Sequence, residues 1–145
     1  MCTSRSRDGN VPGNLVCYRG NVISQGTGGV EAFHQLDAIR KEIEKTLKEH
    51  PDDTDALTLH GEILLDSGKR AEAIDSFRRS YKLAQDPKTH ELLRLALLEG
   101  LEQDFKTGRA NVAEIERLTA KPEQKAKYLQ LMAAGLQASG EWQAA

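Results

Sequence analysis

Cysteine is scarce. Cys2 and Cys17 are the only two in 145 residues, and neither belongs to a CxxC or to a Cys/His set spaced for a metal. They read as a reduced pair with no special role, because a disulfide between them needs an oxidising compartment that nothing else in the sequence establishes. The four histidines, His34, His50, His60 and His90, are never three or four apart, so no two share a helix face as ligands would. No apolar run approaches the ~18 residues of a membrane span. The opening MCTSRSRDGNVPG has no apolar stretch of the kind a signal peptide needs, so no compartment can be assigned. Neither sign of charge dominates: 20 basic and 22 acidic residues give −2, with no basic block of the sort that binds nucleic acid or an anionic membrane. Gly26-Thr27-Gly28-Gly29 lacks both the GxGxxG spacing and a following Lys-Ser/Thr, so it reads as a turn and not as a phosphate cradle. No serine or cysteine stands in a motif with a base. The chain is therefore expected to be no enzyme and to hold no cofactor.

What is present is ordinary for a globular chain: 39% apolar and 29% charged residues. Residues 1 to about 13 are rich in Ser, Arg, Asp and Gly and carry one proline, and they are expected to be poorly ordered. Asn14–Tyr18 and Asn21–Gln25 flank Arg19-Gly20 as two β-type runs, a hairpin signature, and a second turn precedes the short run Val30–Phe33. From His34 the apolar period changes from two to about 3.6. Leu36, Ile39, Ile43 and Leu47 form the stripe of one amphipathic helix, which Pro51 ends, and Asp52-Asp53 suits the start of the next. A helix pair over 54–87 turns at Asp66-Ser67-Gly68, with glycine supplying the left-handed residue. Asp86-Pro87 opens a leucine-dense helix over roughly Lys88 to Phe105, whose apolar circumference predicts burial on more than one side. Gly108 marks its end. Asn111 with Glu114 predicts a capping box for a shorter helix, and a last helix from about Glu123 to Ala138 places Leu129, Met132, Ala133 and Leu136 on one face.

Pro51, Pro87 and Pro122 close successive helix pairs 36 and 35 residues apart, a period in the range of solenoid repeats. The turn Ser67-Gly68-Lys69-Arg70-Ala71-Glu72-Ala73 recurs 72 residues later over 139–145, with Leu57, Gly61 and Leu64 falling on Leu129, Ala133 and Leu136. With Thr54 as its first position, the stretch to Pro87 resembles the tetratricopeptide repeat family. Leu57, Gly61 and Leu64 match its large, small and large residues, and Ala73, Phe77 and Ser80 match its alanine, aromatic and small residues. The closing proline arrives two positions late. The resemblance divides 34–145 into a half repeat over 34–51, the best repeat over 54–87, a divergent one over 88–122 and a truncated one over 123–145. It implies an all-α stack of about five helices, a helical-hairpin solenoid, preceded by a short β-hairpin.

Residues 13–33 look like the closing strands of a bacterial quinoprotein-like β-propeller. Both ends read as cut, so the chain is expected to be a fragment of a larger protein. The resemblances imply a protein-interaction or scaffold module with a protein or peptide partner, or else a non-catalytic helical segment of a propeller protein. Sequence upstream would separate the two, by blade motifs or by further helix pairs. In the repeat family, ligands are met along the inner edge of each first helix. Here that edge carries Asp55, Thr58 and Glu62, and in the last repeat Lys127, Gln130 and Gln137. Acids in the best repeat weigh against the carboxylate-gripping mode of the family's chaperone-binding members.

Overall fold

The structure is a computed structural model, which describes residues 14–18, 21–26, 29–34 and 36–141. Cys2 and the end of the recurring turn after residue 141 lie outside them. The chain divides into two compact units, Met1–Lys45 and Thr46–Ala145.

In the first unit, three strands run β1 (Asn14–Tyr18), β2 (Asn21–Gly26) and β3 (Gly29–His34). They pair antiparallel in chain order, with Tyr18 opposite Asn21 and Gly26 opposite Gly29. The expected hairpin is thus a three-stranded meander. A second two-residue link returns the Val30–Phe33 run along the free side of β2, and three strands are far better able than two to persist in water. Ser24 is buried, while Leu15, Val16, Tyr18 and Val30 stay exposed. Cys17 is exposed and free. Helix α1 (Leu36–Glu49) follows, with Ile43 buried and Leu36 exposed.

The second unit is helical: α2 (Thr54–Asp66), α3 (Arg70–Ala84), α4 (Pro87–Gln103), α5 (Phe105–Gly108), α6 (Val112–Leu118) and α7 (Pro122–Ala138). Local chemistry sets most of its boundaries. The Asp53 carboxylate accepts from Ala56 N at 2.8 Å and starts α2. Gly68, at φ 75°, turns the chain from α2 toward α3. Asp86 accepts from Thr89 N at 2.9 Å with Pro87 at the first helical position, starting α4.

The leucine-dense helix stops two residues earlier than expected. The Asp104 side chain takes Thr107 N (3.2 Å) and Thr107 Oγ1 (2.7 Å), which starts α5 instead of continuing α4 and holds the Asp104 carboxyl below its ordinary range. Gly108 lies inside the crossing of α5 with α4, where a Cβ would stand 2.6 Å from Leu101 Cα. The expected capping box at Asn111 and Glu114 does not form. Arg78 of α3 claims both residues, donating to Asn111 Oδ1 at 2.7 Å and to the Glu114 carboxylate at 2.6–3.1 Å. A forked guanidinium on a carboxylate outcompetes a neutral cap. The Glu114 bond also raises the Arg78 pKa.

Helix α4 lies at the centre, packed by α3, α5, α6 and α7. Leu93, Ala96, Leu97, Leu98 and Leu101 join Leu64, Ala73, Ile74, Phe77, Ile115, Leu118 and Tyr128 in one core. Burial on several sides is as the sequence predicts, although Leu95 stays exposed. Helix α7 turns only part of the expected face inward, with Met132 packed on the core beside Leu136. Tyr128 and Leu136 are buried, but Leu129 is 53% exposed and Ala133 is exposed. The Phe105 ring fills the space against Gly135, and this fixes the rotation of α7.

Tyr128 gives a test of this packing. Its hydroxyl donates to Glu116 Oε1 at 2.9 Å, and burial together with that neighbour pushes its pKa from 10.0 up to about 12. A raised pKa favours the neutral phenol in the fold. The stability it contributes is therefore complete below pH 10 and is lost as pH climbs through about 12. Phenolate absorbance should show a late step near pH 12 that Tyr128→Phe removes. Its absence from the wild-type titration would contradict the packing of α7.

Candidate functional site

Within the helical unit, the N-terminal turns of α2 and α4 and the end of α3 enclose a groove of about 360 Å³. It is lined by Thr54, Asp55, Thr58 and Leu59 of α2, Ser80 of α3, the capping residue Asp86, and Lys88 and Thr89 of α4. Helical spacing puts Asp55, Thr58 and Leu59 along one edge of α2. The Asp86-Pro87 start delivers Lys88 and Thr89 to the opposite wall.

The floor is a buried cluster of hydroxyls. Thr58 Oγ1 donates to Thr54 O at 2.9 Å and lies 2.9 Å from both Ser80 Oγ and Thr89 Oγ1. Ser80 Oγ also reaches Thr54 O at 3.0 Å. The hydroxyls tie α2, α3 and α4 together where small residues let the helices approach, and each finds a partner as buried polar groups must. Above the floor the groove is open. Asp55 is exposed at the mouth, and Leu59, 38% exposed, is an apolar wall.

The six residues expected along inner edges fall into three situations. Asp55 lines the groove at its surface. Thr58 lies beneath it, its hydroxyl engaged within the cluster. Glu62, only 8% exposed, lies one turn further along α2, where its carboxylate meets Lys88 Nζ at 2.7 Å. Lys127, Gln130 and Gln137 are all exposed on α7, and none of them lines this groove. Ser80, Asp86, Lys88 and Thr89 were not anticipated as site residues. The one local signal for them was Asp86-Pro87, which places Thr89 over the cap.

Two further hollows accompany it. One, of about 560 Å³, sits between the Tyr81 and His90 rings, 5.4 Å apart, and the start of α7. There Arg94 takes the Glu91 carboxylate in a two-point pair and lowers its pKa. The other, of about 310 Å³, lies along α3 beside Arg70 and Arg78. His60 Nδ1 and Ser76 Oγ are 3.1 Å apart, but both residues sit inside helices whose N–H groups are spent on helical bonds. The pair links α2 to α3. Among the described residues no three His, Cys, Asp or Glu side chains gather as a metal-ligand set, and no helix is long and apolar enough to cross a membrane. Comparison of the chain with protein-family models, with curated proteins and with solved structures finds no match.

Proposed function

We propose that the chain is a protein-interaction or scaffold module, with helix pairs stacked in the tetratricopeptide manner and a binding surface in the groove between α2 and α4. The groove itself carries the reading. It is open, it combines an exposed apolar wall at Leu59 with charges at Asp55, Asp86 and Lys88, and its floor is held rigid by hydroxyl bonds to three helices. A pre-formed concave site with a few fixed polar groups is what a peptide segment needs for oriented binding. Stacking is supported by the α2–α3 pair, by α4 against α3, and by Gly61 beneath the Phe77 ring, the small-and-aromatic pair of the resemblance. The chemistry on offer is recognition, not catalysis.

Selection of a random peptide library on the intact chain tests this. Ligands are expected whose affinity falls about tenfold or more with Leu59→Glu, as for a residue at the centre of a small interface. Gln130→Ala on α7 should leave them unchanged. No enrichment, or ligands indifferent to Leu59, overturns the reading.

A further inference from the structure

We propose that the outward face of α7, centred on Leu129 and Ala133, is a docking surface for an amphipathic helix of a partner protein, one that sets an aliphatic side chain against Ala133. Neither residue lines the α2/α4 groove, and the inference does not depend on the role given to that groove.

The chain holds the template for this contact. Helices α2 and α7 end in the same turn, bond for bond. Ser67 N, Gly68 N and Lys69 N donate to Ile63 O, Leu65 O and Leu64 O at 2.9–3.0 Å, and Ser139 N, Gly140 N and Glu141 N donate to Gly135 O, Gln137 O and Leu136 O at 2.9–3.2 Å. The two glycines stand at φ 75° and 78°. After α2 this turn leads into α3, which lays the Phe77 ring over Gly61, and Leu57 is buried one turn away. The matching positions on α7 are Leu129 and Ala133, and both are exposed. Among the described residues no helix follows α7 to stand as α3 stands on α2.

The exposed face also continues the core. Leu136 is buried on the same stripe, and Met132 packs on the cluster beside it. An apolar stripe at the spacing already used between two helices of this chain suits a third laid along it. The four residues that follow Glu141 in the sequence are too few to be that helix. As one helical turn they rise about 6 Å, whereas Ala133 and Leu129 lie about 10 Å and about 16 Å back along α7 from Gly140. Ala133 then sets the chemistry of the partner. A Cβ at Gly61 would stand 2.5 Å from the Phe77 ring, and Ala133 carries that Cβ. A ring at the depth of Phe77 would overpack the site, while the smaller side chain of leucine fits it.

The test is an amide chemical-shift titration of the intact chain with a synthetic peptide of residues 69–85, the α3 sequence, carrying Phe77→Leu. Saturable shifts are expected at residues 126–137, with a dissociation constant of about 0.1–1 mM because so short a helix must fold as it binds. The unmodified peptide should bind about threefold more weakly, since its ring meets the Ala133 methyl. Ala133→Glu, made on an exposed position and so without cost to the core, should weaken binding about tenfold or more. Leu59→Glu in the groove should leave it unchanged. No saturable shift on α7, shifts on α2 in its place, indifference to Ala133→Glu, or equal or tighter binding of the unmodified peptide overturns the proposal. Failure of the groove as a peptide site leaves it standing, because the two surfaces share no residue.

Discussion

Phe77→Ala should lower the free energy of unfolding by about 3–5 kcal/mol, read from the urea midpoint at an unchanged slope. Phe77 is completely buried and heads the large side chains of the core. It stands on α3 with Gly61 of α2 under its ring, in one cluster with Leu93 and Leu97 of the central helix. Truncation therefore loses the transfer energy of a phenyl ring and leaves a cavity at a three-helix junction. Those helices are also pinned by the Thr58–Ser80–Thr89 hydroxyls, which limits how far the site can collapse. A loss of this size is a large share of the ~5–15 kcal/mol that holds a domain folded. A loss within error of zero would show that Phe77 does not fill the junction and would remove the basis for stacking.

Gly61→Ala acts on the same junction from the other side. A Cβ at Gly61 would lie 2.5 Å from Phe77 Cε1 and 2.7–2.8 Å from the next ring atoms, well inside van der Waals contact. The ring is enclosed and cannot step aside, so the variant should lose about 1–3 kcal/mol to overpacking, against the usual gain of Ala over Gly within a helix. Because the two residues touch, the effects should not add. In a Phe77→Leu background, whose side chain is smaller, the Gly61→Ala penalty should fall by half or more. Equal penalties in both backgrounds would place the strain elsewhere.

Residues whose partners lie within a few positions were legible in the sequence. Asp53, Gly68 and the Asp86-Pro87 pair act on their own backbone, and their consequences follow from local rules. The core stripe of α4 was legible too, because a helix packed on several sides needs apolar residues around most of its circumference. Where a distant residue decides, the sequence misleads. Asn111 and Glu114 have the spacing of a cap, but Arg78, more than 30 residues earlier, reaches both. Leu129 and Ala133 repeat the spacing of Leu57 and Gly61, yet the Phe105 ring against Gly135 fixes a rotation of α7 that leaves both exposed. The groove suffers most from this. Asp55 was expected from the inner edge that the repeat resemblance implies, but Ser80, Asp86, Lys88 and Thr89 come to the groove only through the stacking of α3 and α4. That stacking also turns Thr58 from a surface contact into part of the floor.

The location of a bound peptide tests the central claim most directly. An amide shift map of the intact chain with a library-selected ligand should show its changes at residues 54–59, Ser80 and 86–89, around the 360 Å³ groove. Changes confined to Lys127, Gln130 and Gln137 on α7, with the groove silent, would contradict it.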